Sequence, residues 1–116
     1  MALRWLASLS TMPHVLTAVL VSDDGLEIEA VGGAVIDPSS LAAETATLGR
    51  VAGAVGASLG GGRLFRYSIT TDRFELITIR AGTHQSLAVA AQRGADLRNI
   101  QVEMARLALQ LVQDLA

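Results

Sequence analysis

Four glycines, Gly49, Gly53, Gly56 and Gly60, recur at steps of four, three and four inside a segment whose pattern is otherwise helical. That spacing places them on one face of a helix, and Ala42 and Ala46 extend the same stripe toward the N-terminus. A glycine inside a helix costs roughly 1 kcal/mol relative to alanine, so the three interior ones together cost about 2–3 kcal/mol. The compensation such a stripe calls for is close approach of another backbone, which a side chain there would block. A chain built this way carries a packing seam. The seam points to what the chain binds rather than to chemistry it performs.

The ends of this helix are marked. Asp37-Pro38-Ser39-Ser40 opens it, with Asp37 as N-cap and Pro38 at the first helical position. Gly60-Gly61-Gly62 closes it with a glycine C-cap that runs on into a loop. Leu41, Leu48, Val51, Val55 and Leu59 form a bulky apolar arc around Ala52, the face expected to lie on a sheet. Glu44 interrupts the arc near the helix start, where it is expected to sit beyond the sheet edge. The remaining face holds Ser39, Ala43, Thr47, Arg50, Ala54, Ala57 and Ser58, with Arg50 its only charge. A solvated helix face ordinarily carries several charges, so this one is either covered or waiting to be covered.

The 116 residues amount to one domain of ordinary size, spanning 1–116. With 51% of residues apolar and only 17% charged, the composition is lean for a monomer and suits an oligomer. A net charge of −2 gives no electrostatic case for nucleic acid or an anionic membrane. All nine basic residues are arginine, which fits the codon bias of a GC-rich genome. The absence of cysteine removes disulfides, thiolate metal sites and cysteine nucleophiles together. Residues 1–21 contain Arg4 and a later apolar run, yet Ser8, Ser10, Thr11, Pro13 and His14 break it up, unlike a signal peptide. No apolar stretch is long enough to span a bilayer, and the expected location is the cytoplasm.

Along the chain the pattern predicts a short helix over residues 2–11, with Leu3, Leu6 and Leu9 inward and Pro13 ending it. Val15 to Ser22 reads as a strand covered on both faces. Ser22-Asp23-Asp24-Gly25 is a hairpin turn, and Leu26, Ile28 and Ala30 alternate with Glu27 and Glu29 in a half-exposed second strand. After the glycine loop, Leu64–Thr71 sets Phe65, Tyr67 and Ile69 against Arg66, Ser68 and Thr70. Phe74–Arg80 and Gln85–Ala91 follow at hairpin spacing, so these three strands are antiparallel. Asp96 caps a last helix whose Leu97, Ile100, Met104, Leu107, Leu111 and Leu115 make one long apolar face. The order α-β-β-α-β-β-β-α predicts an α/β chain of the α+β type, a three-layer sandwich with the sheet in the middle.

Candidate chemistry is sparse. Gly56-Ala57-Ser58-Leu59-Gly60 satisfies the G-x-S-x-G spacing of serine hydrolases, with Asp72 and His84 following in order. That motif needs a strand before the serine and a helix after it, the reverse of the context here, so Ser58 reads as a helix-end residue. Gly60-Gly61-Gly62-Arg63 lacks the lysine of a phosphate loop and leaves a helix instead of entering one, so it reads as a C-cap. His14 and His84 have no carboxylate at ligand spacing, and no metal site is expected. Asp23 and Asp24 are turn residues rather than an acid–base pair. Arg50, Arg63 and Arg66 can reach a phosphate or carboxylate on a partner, or remain solvated charges.

Taken together, the hairpin Ala18–Leu26, the small-residue helix Leu41–Leu59, the phrase Gln85-Ser86-Leu87-Ala88-Val89 and the helix phrase Ile100-Gln101-Val102-Glu103-Met104 resemble the Roadblock/dynein light chain family, in particular its small bacterial MglB-like members. The resemblance covers about Leu6 to Leu115 and rests on the combination and order of these phrases. It implies a five-stranded antiparallel sheet with one helix on one face and the two terminal helices on the other. It further implies a homodimer that pairs the third strand and central helix across a twofold axis. Ala46, Gly49, Gly53 and Gly56 would then meet a second copy, with Phe65, Arg66, Tyr67 and Ser68 on the strand edge. Thr47, Arg50, Ala54 and Ala57 would form a platform for a small Ras-like GTPase, and no cofactor is implied. Some relatives stimulate GTP hydrolysis without donating an arginine finger, while others are scaffold subunits with no effect on nucleotide state. The chain departs from the family in its short first helix and in Arg98, where relatives often have glycine.

Overall fold

The computed structural model describes residues 5–115. Its elements are α1 (Ala7–Ser10), β1 (Val15–Ser22), β2 (Glu27–Gly32), α2 (Pro38–Ser58), β3 (Arg66–Thr70), β4 (Phe74–Arg80), β5 (Gln85–Gln92) and α3 (Leu97–Leu115). The five strands form one sheet in the order β2-β1-β5-β4-β3, and every neighbouring pair is antiparallel. The order of elements and the antiparallel sheet follow the expectation. The first helix is shorter than expected, with one turn ending before Thr11. Residues 2–4 of that expected helix, Leu3 among them, lie outside the described residues, as does the Leu115 side chain.

Local chemistry accounts for the boundaries. The Asp37 carboxylate accepts the Ser40 N–H at 2.9 Å, capping α2 as its sequence predicts. At the other end Gly60 N–H donates to the Ala57 carbonyl and Gly61 N–H to that of Gly56, at 3.0 and 2.8 Å. This is a Schellman closure, and it requires the left-handed φ of +72° at Gly60. Asp96 accepts the Asn99 N–H at 3.3 Å and opens α3. Gly32, at the end of β2, is fixed more tightly still. Its φ is +81°, and a Cβ there would lie 2.2 Å from the Leu16 carbonyl oxygen.

The sheet separates two cores of unequal depth. On one face Leu6, Leu9, Ile100, Met104, Leu107 and Leu111 pack on Leu20, Ile77, Leu87 and Val89, all nearly sealed from solvent. Each such side chain contributes on the order of 1.5–3 kcal/mol of burial. The Glu29 carboxylate faces this side and accepts the Trp5 and Leu6 N–H groups at 3.0 and 2.8 Å, tying β2 to the start of α1. The Ile28–Ala30 face of β2 is the less covered one, with Ile28 exposed and Ala30 half-buried, whereas the Glu29 face supplies the buried Val31.

On the opposite face the core is thin. Val19, Val21, Leu76, Ala88 and Ala90 meet Leu41 and Ala42 of α2. Here the structure corrects the sequence-based orientation of α2. Leu41 is buried and Leu48 partly so, but Val51, Val55 and Leu59 are 58%, 55% and 81% exposed. The inward face is the small one, carrying Ala42, Thr45, Gly49, Ala52 and Gly56. Ala88 and Ala90 make a shallow floor on β5 beneath the buried start of α2 at Leu41 and Ala42.

Candidate functional site

α2 packs over β1, β2 and β5. Its first half is pinned. Ala42 is fully buried, and a Cβ on Gly25 would lie 3.4 Å from that of Ala46. The second half overhangs the β4–β3 side of the sheet and leaves a groove of about 470 Å³. Ala46, Gly49 and Gly53 line it from the helix, Phe65, Tyr67 and Thr78 from the sheet. A Cβ built on Gly49 or on Gly53 meets nothing within 4 Å. Among the described residues, nothing would touch a side chain at these two positions.

The eight residues assigned to a dimer contact are therefore placed in three settings. Ala46, Gly49, Gly53, Phe65 and Tyr67 all line the groove. Arg66 and Ser68 alternate with Tyr67 on β3 and so project to the other face of the sheet, both exposed. Gly56 serves the helix terminus, where its carbonyl accepts the Gly61 N–H. β3 is an edge strand, paired with β4 alone. Its outer edge is bordered by Phe65, which is 69% exposed.

Tyr67 is the polar anchor of the groove. Its hydroxyl donates to the Thr45 carbonyl at 2.8 Å, bridging β3 to α2. Burial pushes the phenol above its usual pKa. The Thr45 and Thr78 hydroxyls are buried and lack hydrogen-bond partners among the described residues. At the groove mouth Arg80 is engaged by Asp23 at 2.6 Å, whereas Arg50 and Arg63 face the opening with no carboxylate partner among the described residues.

The four platform residues, Thr47, Arg50, Ala54 and Ala57, are placed along the outer side of α2, away from the sheet. Thr47 Oγ1 donates to the Ala43 carbonyl at 3.2 Å and accepts from Arg50 Nη2 at 3.4 Å. Arg50 thus lies both on the outer side of α2 and at the rim of the groove. Sequence reasoning missed Thr45, Thr78 and Arg80, which come to the groove from α2 and β4. The alternation of Leu76 and Thr78 with Ile77 was the available signal for which side of β4 faces α2. Ser58 is the final residue of α2 and enters a glycine turn, a context opposite to that of a nucleophile elbow. Among the described residues no group of three His, Cys, Asp or Glu could hold a metal, and no helix is long and apolar enough to cross a membrane.

Residues 1–91 match the Roadblock/LC7 domain. The chain belongs to the Roadblock/LC7 family. A Roadblock/LC7 domain from Streptomyces avermitilis is 31% identical, superposes with a TM-score of 0.87, and is covered over 98% of its length by 99% of this chain. Myxococcus xanthus MglB is 19% identical with a TM-score of 0.83, over 93% of this chain and 82% of that one. The gliding protein MglB of Thermus thermophilus is also 19% identical, with a TM-score of 0.76 over 85% and 76%. At such identities the two MglB structures establish a shared fold. No curated protein matches the sequence.

Proposed function

We propose that this Roadblock/LC7 protein is a homodimeric, non-catalytic platform that binds a small Ras-like GTPase and modulates its GTP hydrolysis. The observation that carries the reading is the open space beneath Gly49 and Gly53. Glycines that weaken a helix by about 1 kcal/mol each need a close neighbour, and the chain's own sheet does not supply one. In this reading a second copy fills the groove and pairs with the free edge of β3, covering Val51, Val55, Leu59 and Phe65. The outer faces of the two α2 helices then lie side by side, and Thr47, Arg50, Ala54 and Ala57 of both copies form the docking surface. The protein works in the cytoplasm, where such GTPases act.

The test is GTP hydrolysis by a small Ras-like GTPase of the same organism, with and without the purified protein, together with binding in each nucleotide state. Faster hydrolysis with preference for the GTP form supports the regulator. Binding with an unchanged rate makes the protein a scaffold subunit. Absence of binding to any such GTPase removes the platform assignment.

A further inference from the structure

The groove between α2 and β3–β4 holds more polar groups than close contact between two backbones requires. Thr45 and Thr78 line it from the helix and from the sheet. Each is only 3% exposed, and neither hydroxyl has a hydrogen-bond partner among the described residues. A buried hydroxyl left unpaired is costly, so two in one groove call for a partner from outside the chain. Charge at the mouth has one sign. Asp23, the one carboxylate among the lining residues, is held by Arg80 at 2.6 Å. That leaves Arg50 and Arg63 as cations without a carboxylate among the described residues. The groove also has an apolar wall, to which Leu64 and Phe65 contribute.

We propose that this groove binds a small hydroxylated organic acid, with its carboxylate at Arg50 and Arg63, its apolar body on Leu64 and Phe65, and its hydroxyl at Thr45 and Thr78. The volume of about 470 Å³ falls within the range of small-molecule sites, roughly 300–1,000 Å³. Each part of the ligand answers one part of the groove. An inorganic anion answers the arginines alone, and a neutral apolar molecule answers only the wall. A ligand hydroxyl both donates and accepts, so it serves the threonine hydroxyls whichever way each is turned. Gly49 and Gly53 keep the groove open, because their positions carry no side chain to fill it. The second copy is assigned to the same groove, so acid and second copy exclude one another, and the acid opposes self-association. Only that antagonism rests on the proposed dimer; the site is built within one chain.

Threonine-methyl NMR on the Val51→Glu chain tests the site. Val51 is 58% exposed and is not among the groove-lining residues, so this variant repels a second copy and leaves the site unaltered. Titrated para-hydroxyphenylacetate shifts the Thr45 and Thr78 methyl signals saturably. It binds about tenfold more tightly than para-hydroxyphenylacetamide, which lacks the charge, and about fivefold more tightly than phenylacetate, which lacks the hydroxyl. Arg63→Gln erases the preference for acid over amide, and Thr78→Val erases the preference for the hydroxylated acid. Thr78→Val also raises the urea midpoint of the ligand-free chain, since it removes an unpaired buried hydroxyl at nearly constant shape. No saturable shift at these two methyls, equal affinity for acid and amide, or a lowered urea midpoint for Thr78→Val overturns the site. Sedimentation of the wild-type chain reads the antagonism: the acid lowers the mass of the self-associated species, and an unchanged mass overturns the shared groove. If wild type and Val51→Glu both sediment as monomers, the dimer reading fails while the NMR titration still decides the site.

Discussion

Gly53→Ala separates what the glycine stripe does within one chain from what it does between chains. The residue sits in the interior of α2, has no left-handed φ, and a Cβ added to it meets nothing within 4 Å. In the isolated chain the substitution therefore carries no steric cost and removes glycine's backbone entropy. The expected gain is roughly 1 kcal/mol, equivalent to a rise in Tm of about 4 °C for a domain of this size. At an interface where a second backbone closes on the stripe, the same methyl is an obstruction. The expected loss there is at least tenfold in dimer affinity, about 1.4 kcal/mol.

The two effects have opposite concentration dependence, and thermal unfolding monitored over a wide protein concentration range resolves them. Dilute Gly53→Ala unfolds above wild type. As concentration rises the wild-type Tm climbs by mass action and the variant's lags behind it, so the curves cross. Gly56→Ala is the control. Its Cβ lies 3.8 Å from the Gly62 carbonyl oxygen in ordinary contact, and Gly56 is absent from the groove lining. It stabilises at every concentration. If Gly53→Ala behaves as Gly56→Ala does, raising Tm uniformly with unchanged self-association, the stripe is not a seam and the glycines need another explanation.

Other substitutions test individual parts. Tyr67→Phe removes the bond to the Thr45 carbonyl and costs about 1 kcal/mol by denaturant unfolding. Tyr67 is the single tyrosine, so absorbance at 295 nm follows its titration alone. Its midpoint lies above the usual value of 10.0. Because the neutral phenol is favoured in the fold, stability is full below that value and falls as pH rises through the raised pKa. Glu103 behaves oppositely. The Arg106 hydrogen bond, seconded by Ser8, lowers its pKa below 4.5, so its contribution is present above that pH and is lost on acidification through the lowered value. Glu103→Gln flattens the acid limb of the stability curve measured by urea titration. Gly32→Ala forces a methyl against the Leu16 carbonyl at a left-handed φ and destabilises by more than about 3 kcal/mol, read as loss of soluble folded protein. Arg50→Glu weakens GTPase binding while leaving sedimentation of the protein unchanged, and equal affinity removes Arg50 from the platform.

Much of the architecture was legible because its signals are local. Asp37 and Asp96 mark helix starts by bonds to N–H groups three residues on, Gly60 marks a helix end by its φ, and the α3 stripe shows its period directly. The rotation of α2 was not legible in α2. A rule that turns the bulkiest arc inward places Val51, Val55 and Leu59 on the sheet, where the fold leaves them exposed. The deciding residues are Ala88 and Ala90 on β5, far along the chain from α2. Their small side chains admit the start of α2 at Leu41 and Ala42, whereas a Cβ on Gly49 meets nothing within 4 Å. A pairing of small strand residues with a small helix face is visible in the sequence only once the two are known to touch. The groove was hidden for the same reason, since it forms where the straight helix departs from the twisted sheet.

The two faces of that sheet make different demands. On the α1–α3 side, leucines and one methionine from both helices close a deep core without help. On the α2 side the floor is alanine, the roof is glycine, and the helix stands clear of β3 and its half-buried Tyr67 and Ile69. A monomer optimised for itself would place large side chains at positions 49 and 53, because the space beneath them accepts a Cβ freely and a longer side chain could reach the floor. Glycine at both sites gives up helix stability and core burial together, a combination that single-chain folding does not reward. Selection for a surface that a second backbone can approach does reward it, which is why the weakest part of the fold is the part to which we assign its function.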